Sequence, residues 1–231
     1  MGPTSGTLSD MTTTPDGCSV DLYLRLPAAG EPEIVHGAVP AAASILELGS
    51  GCGRVTHPLL ELGHSVVAVD ESPEMLAHVR GAETVCARIG DLRLSREFDV
   101  VLLGSHLVNT ADPAERHALL AAARRHLAPG GRLLVEWHPP EWFDHVADGP
   151  GGLLGEIGVS LHDVVREGDL LSATVRYRAA ERVWHQEFTC RRLGFPALSE
   201  ALTSADLTFG EWLTADRDWF SARGVADQVP I

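Results

Sequence analysis

The sequence contains no lysine: all 18 basic residues of the 231 are arginine, set against 32 acids for a formal charge of −14. Without lysine there is no phosphate-gripping Walker lysine and no Schiff-base lysine. A Tyr-x-x-x-Lys pair of the short-chain dehydrogenase kind is likewise ruled out. So acidic a chain is repelled by a phosphate backbone, and its adjacent basic pairs, Arg124–Arg125 and Arg191–Arg192, read as ordinary solvated faces. Nucleic acid is therefore not an expected partner. Cysteine is scarce as well. Cys18, Cys52, Cys86 and Cys190 are scattered without C-x-x-C spacing, which argues against a zinc site or a disulfide framework and fits a reduced, cytoplasmic setting. No apolar run approaches the roughly 18 residues of a membrane span. Residues 1–17, rich in Gly, Thr, Ser and Pro, read as a flexible tail rather than a signal peptide.

What the sequence does have is concentrated between Ile45 and Asp70, ILELGSGCGRVTHPLLELGHSVVAVD. Ile45 to Leu48 reads as a buried parallel strand, and Gly49, Ser50, Gly51, Cys52 and Gly53 as a loop. Arg54 to Leu62 has a helical pattern, with Gly63 suited to its C-terminal end. A second apolar strand, Val66 to Val69, stops on Asp70, about 20 residues beyond the first glycine. Glycines let a ligand approach the backbone, and an acid at the end of the second strand can accept hydrogen bonds from ribose hydroxyls. The stretch is the front of a βαβ unit for an adenosine-containing cofactor.

Around it the chain alternates. Short helices are expected over Asp21–Leu26 and Pro32–Val39. Further on come a helix from Pro73 to Val79 capped by Ser72 and a third strand from Thr84 to Ile89. Val100–Leu103 is a fourth strand, and Asp112 caps a helix from Pro113 to about Leu127. Pro129–Gly130–Gly131 turns into a fifth strand, Arg132 to Trp137. Such alternation implies a doubly wound, mostly parallel sheet. Beyond it, His138–Leu153 has no clear period. Val159–Val165, Leu170–Tyr177 and Arg182–Cys190 read as three antiparallel strands. A helix from Pro196 to about Ser204 and a hairpin of Leu207–Leu213 with Asp218–Ala222 close the chain.

Three features together resemble the class I (Rossmann-like) S-adenosylmethionine-dependent methyltransferases, in the branch acting on small molecules of bacterial secondary metabolism. The loop E-L-G-S-G-C-G carries its third glycine at Gly53, where a dinucleotide fingerprint would want one in place of Arg54. V-V-A-V-D-E-S-P-E-M-L and L-A-P-G-G-R-L-L-V-E-W are similar to that family's later motifs, in order and spacing. The closing antiparallel hairpin is the third feature. The resemblance implies a seven-stranded α/β sheet with a three-stranded antiparallel insertion after the fifth strand. Residues 18–231 would then form one domain, divided into an N-terminal helical cap (18–40), a cofactor-binding half (41–138), a lid (139–192) and a final helix and hairpin (193–231). It also implies S-adenosylmethionine as cofactor, S-adenosylhomocysteine as product, no metal and a small-molecule acceptor. An N-terminal arm and an exposed lid are compatible with a homodimer. By the same resemblance Gly49, Ser50, Gly51 and Gly53 lie against the amino-acid part of the cofactor, with Glu47 orienting it. Asp70 and Glu71 meet the ribose, Met75 covers the adenine face, and Asp91 with Leu92 reaches the adenine amino group. Ser105 joins these contacts.

Chemistry is expected where the fourth strand opens, at Gly104 to Asn109, because ligands of open α/β sheets bind beyond the carboxyl ends of strands. His106 is the expected general base, since an imidazole titrating near pH 6.5 suits proton removal. Tyr23 is the second catalytic candidate, paired with His106 across the acceptor as a relay. Asn109, Trp137, His138, Trp142 and Trp184 are expected to line the acceptor pocket, and the tryptophans point to a flat aromatic or heteroaromatic acceptor such as an indole. Methylation at C, N or O stays open. His138–Pro139–Pro140–Glu141–Trp142 superficially resembles the N/D-P-P-Y/F motif of nucleic-acid amino-methyltransferases, but that motif follows the fourth strand and this one the fifth. A non-catalytic nucleotide-binding regulator and an NAD(P)-dependent oxidoreductase are the alternatives.

Overall fold

The computed structural model describes Thr14 and residues 17–225. The flexible tail expected over 1–17 otherwise lies outside the described residues, as do residues 226–231. Five strands alternate with helices in the first half. They are β1 (Ser44–Leu48), β2 (Ser65–Asp70), β3 (Glu83–Cys86), β4 (Phe98–Leu103) and β5 (Leu127–Glu136). Between and before them lie α1 (Val20–Tyr23), α2 (Glu31–Ala38), α3 (Thr56–Glu61), α4 (Pro73–Leu76) and α5 (Pro113–Arg125). The second half holds α6 (Pro140–His145), β6 (Gly149–Leu154), β7 (Ile157–Glu167), β8 (Leu170–Ala179), β9 (Arg182–Arg191), α7 (Phe195–Ser204), β10 (Leu207–Trp212) and β11 (Trp219–Gly224).

The main sheet has seven strands in the order β10-β11-β5-β4-β1-β2-β3. The first five strands pair parallel, and β11 runs antiparallel to both β5 and β10. Its central strands read as continuous apolar runs because both faces are covered. Leu46, Leu48, Val101, Leu103, Leu133 and Val135 pack with Leu119 and Leu120 of α5 and Leu198 of α7. The alternate residues Ile45, Val100, Leu102 and Leu134 pack with Val35 of α2 and Leu59 of α3. The strand order reverses between β1 and β4, and the crevice beyond their carboxyl ends is where such sheets receive ligands.

Several elements differ from expectation for local reasons. The third strand stops at Cys86, and Ile89–Asp91 winds into a 3₁₀ turn. The helix after Ser72 runs one turn before His78 and Val79 go over to i→i+3 bonds. The Pro129–Gly130–Gly131 turn becomes an irregularity within β5, where pairing jumps from Phe98–Leu127 to Val100–Arg132. The antiparallel insertion has four strands, β6-β7-β8-β9, rather than three. The additional one, Gly-Pro-Gly-Gly-Leu-Leu, looks unlike a strand in sequence and survives because an edge strand tolerates Pro and Gly. No helix among the described residues is long and apolar enough to cross a membrane.

Candidate functional site

The loop after β1 is anchored from below, since the N–H groups of Gly49 and Ser50 both donate to the Val69 carbonyl, at 2.8 and 2.9 Å. Gly49, Gly51 and Gly53 all have positive φ, which a side chain rarely adopts. At Gly53 the neighbourhood forbids one too: a Cβ would lie 2.8 Å from the His57 ring, whose Nε2 accepts the Arg80 N–H at 3.0 Å. Gly53→Ala is therefore expected to cost about 1–3 kcal/mol in a urea titration, from backbone strain and displacement of that imidazole. At Gly51 the opposite holds, with nothing within 4 Å of a built Cβ. Beside this open space the Ser50 hydroxyl is buried and lacks a partner among the described residues. A buried hydroxyl without a hydrogen bond, next to the half-buried Gly51, suits a polar ligand seated on the loop.

Asp70 is bound to the same loop. Its Oδ2 accepts the Gly51 N–H at 2.8 Å and its Oδ1 accepts the Ser72 N–H at 2.9 Å. Each oxygen is thus oriented by one backbone bond and keeps lone-pair capacity for a vicinal diol. Glu47 shares a strand face with Ile45 and reaches α3, where the Thr56 hydroxyl donates to its Oε2 at 2.5 Å. Burial raises the Glu47 carboxyl to about 7, against the lowering effect of that hydroxyl. Met75 is buried with its sulfur 3.1 Å from Cys52 Sγ. Asp91 is exposed on the 3₁₀ turn, Leu92 is buried in the main core, and Glu71 is exposed with Arg88 3.8 Å away.

A second group of residues gathers where β4 and β5 end. Ser105 and His106 are consecutive non-glycine residues with φ of 53° and 58°. This turn aims the Ser105 N–H at Glu136 Oε2, 2.6 Å away, and brings His106 Nδ1 to 3.4 Å from Glu136 Oε1. The His106 ring meets the His138 ring edge-on at 3.6 Å, and His138 stacks on Trp142 at 3.7 Å with the planes 4° apart. Burial holds His106 down to about 4, and burial plus the neighbouring His106 hold His138 down to about 2. Both imidazoles are neutral at pH 7. Glu136 moves the other way, raised by burial to about 7 despite the Ser105 bond.

The remaining expected residues are dispersed. The Tyr23 hydroxyl donates to Gln186 Oε1 of β9 at 3.3 Å and accepts from the Cys18 thiol at 3.4 Å, so its bonds run to β9 and to the segment before α1, not to His106. Burial raises its phenol well above the usual value. Trp137 is a core residue and cannot line a pocket: it is 1% exposed, donates its indole N–H to the Arg217 carbonyl, and packs on Trp212 and Phe220. Trp184 is likewise buried, against Leu22 of α1 and Ile157. Asn109 is 1% exposed and spends its amide on main chain, accepting the His138 N–H at 2.8 Å and donating to the Arg191 and His138 carbonyls. Of the expected pocket residues, His138 adjoins His106, and Trp142 stacks on His138. Sequence reading passed over Glu136 and the buried pair of Glu31 with Arg54, in which Glu31 also accepts the Ala29 N–H. Glu136 carried the same signal as Asp70, an acid closing a buried parallel strand.

Residues 45–131 match the methyltransferase domain family. An uncharacterized methyltransferase of Mycobacterium bovis is 37% identical over 128 residues, covering 53% of this chain and 51% of that one. The dTDP-3-amino-3,6-dideoxy-alpha-D-glucopyranose N,N-dimethyltransferase of Streptomyces fradiae is 30% identical over 161 residues, or 66% of this chain and 63% of that one. The chain thus spans about half to under two thirds of the length of these curated relatives. Among solved structures, the S-adenosylmethionine-bound amino pentose methyltransferase of Micromonospora echinaspora superposes with a TM-score of 0.65 at 25% identity, covering 83% of this chain and 87% of that one.

Proposed function

We infer that the chain is a class I S-adenosylmethionine-dependent methyltransferase and that it methylates a nitrogen of a small natural-product molecule. The observation that carries the cofactor half of this reading is Asp70, whose carboxylate is fixed by two backbone bonds, one of them to Gly51, where nothing lies within 4 Å of a built Cβ. The Ser50 hydroxyl, buried and without a partner among the described residues, fits the same ligand. Bound there, the cofactor supplies a methyl group already activated on a sulfonium. The protein's own tasks are to align the acceptor, exclude water and hold a proton.

The division of labour is a cap over 18–40, a cofactor half over 41–138, a lid over 139–192 and a closing helix and hairpin from 193. Support for it comes from the contact of α1 with the lid, where Leu22 and Tyr23 meet Ile157, Trp184 and Tyr177. Two observations favour nitrogen over an aromatic carbon or hydroxyl. The tryptophans that suggested a flat acceptor separate into different cores, leaving Trp142 alone beside His138. Two of the relatives are named for amino-sugar acceptors. Calorimetry with S-adenosylmethionine and with NADH tests the cofactor: binding of the first and not the second is expected, and the reverse would overturn the family-based activity. A labelled-methyl assay on aminodeoxy sugars and peptide amino termini, each beside its hydroxyl counterpart, tests the acceptor. Label on nitrogen is expected, whereas label on carbon or oxygen, or on no member of the panel, would overturn it.

A further inference from the structure

Glu136 is held at the mouth of β4 and β5 through both of its carboxylate oxygens, yet no expectation from the sequence employed it. One oxygen takes the Ser105 N–H at 2.6 Å, and the other faces His106 Nδ1 at 3.4 Å. Two adjacent residues in left-handed backbone, Ser105 and His106, hold this arrangement at a cost of about 1–3 kcal/mol each. That cost is sustained at a point where the sheet opens toward ligands. The charged groups that act on the carboxylate are Glu31 of α2, Arg54 of the glycine loop and Asp218 before β11, and the titratable His106 beyond β4 lies against it in its neutral form. Arg54 is already bound to Glu31 and to the Pro27 carbonyl. Glu136 has no arginine within ion-pair range among the described residues, so its carboxylate is available to a cation from outside.

The histidines are poorly suited to the same work. His106 and His138 lie against each other, so protonating one places a charge against the other ring, and Trp142 stacks on His138. An amine arrives at neutral pH as an ammonium, without the lone pair that methyl transfer needs. We propose that Glu136, rather than His106, receives this ammonium and takes its proton, while His106 is a positioning residue that steadies the Glu136 carboxylate. The inference rests on the amine reading above. The proton passes from the ammonium nitrogen to a Glu136 oxygen, freeing the nitrogen lone pair. That nitrogen then bonds the methyl carbon as the carbon–sulfur bond breaks, its electron pair staying on sulfur. Positive charge leaves the sulfonium and appears on the methylated nitrogen, and Glu136 returns its proton to water. Burial keeps this carboxyl near neutrality, at about 7, where it is ionised enough to accept a proton and basic enough to hold one. An alcohol holds its proton far more tightly than an ammonium, so the same group favours amines over hydroxyls.

Glu136→Gln retains an oxygen for the Ser105 N–H and is expected to bind S-adenosylmethionine within threefold of wild type by calorimetry. Its kcat/KM on an amine acceptor at pH 7 should fall about 10²–10⁴-fold. The wild-type profile should rise with pH through about 7 as Glu136 ionises. The variant should lack that limb and recover only at alkaline pH, where free amine prevails. Carboxyl-labelled glutamate followed by NMR in the complex with S-adenosylhomocysteine gives a readout independent of turnover. Of the resonances titrating between pH 6 and 8, where Glu47 also falls, one should vanish in Glu136→Gln. Glu136→Asp covers the case of misfolding and should keep the limb with reduced kcat, and His106→Asn should keep the limb too. A Glu136→Gln enzyme within threefold of wild-type kcat/KM, a limb lost in His106→Asn but kept in Glu136→Gln, or no such resonance would overturn the assignment. Failure of the wild type to bind S-adenosylmethionine would instead sink the methyltransferase reading itself.

Discussion

Asp70→Ala is expected to weaken S-adenosylmethionine binding about 10²–10⁴-fold in calorimetry, the largest single effect foreseen at the cofactor side. Two hydrogen bonds to an ionised carboxylate contribute about 1.5–3 kcal/mol each, and both are lost together. The substitution also releases the N–H groups of Gly51 and Ser72, which the carboxylate holds at 2.8 and 2.9 Å. Asp70→Asn separates the two roles. The amide oxygen can keep one of those N–H groups, but the amide nitrogen donates where an acceptor is needed. Its affinity should therefore fall nearly as far as that of the alanine variant, while its unliganded melting temperature stays closer to wild type. An Asp70→Ala protein that binds the cofactor within threefold of wild type would show that the ribose lies elsewhere.

The difference between Asp70 and Glu136 explains what the sequence could and could not reveal. Asp70 sits in a local pattern of strand, glycine loop, helix and strand, and each part is dictated by neighbours in the chain. The apolar runs of β1, β2 and β4 are readable for the same reason, since burial on both faces leaves no alternation to misread. Glu136 also closes a buried strand, but its partners Ser105 and His106 lie in the turn after β4 and its charged neighbours on α2, the glycine loop and the turn before β11. No spacing along the chain encodes that meeting. The tryptophans failed in the other direction. Composition draws Trp137, Trp142 and Trp184 together into one pocket, whereas strand alternation sends Trp137 into the main core and Trp184 under α1. The α6 and β6 elements escaped notice because one is a turn and a half begun by two prolines and the other is mostly glycine and proline.

Asn109→Ala should be costly, although its side chain is buried away from solvent. The amide ties three segments together: its own turn after β4, the main chain of His138 beyond β5, and the Arg191 carbonyl at the end of β9. Truncation leaves a buried N–H and two carbonyls short of partners, for which about 3 kcal/mol in a denaturant titration is the expected loss. For a chain of this size that corresponds to a melting temperature lower by about 6–12 °C. The turn will not simply unravel, because Arg116 also holds it through the Val108 and Thr110 carbonyls, at 2.7 and 2.5 Å. What Arg116 does not supply is the link from this turn to β9. Cofactor affinity should accordingly stay within a few-fold of wild type, while kcat falls and KM for the acceptor rises. Asn109→Asp distinguishes the clamp from a direct acceptor contact. Its carboxylate still accepts the His138 N–H but faces the two carbonyls that Asn109 served as donor. Folding therefore favours the protonated acid and raises its pKa. The added penalty should be absent below the ordinary carboxylate pKa of about 4, and it should grow as pH rises from there toward the folded-state value. A variant whose stability does not change with pH, and whose only defect is in acceptor KM, would return Asn109 to the pocket wall.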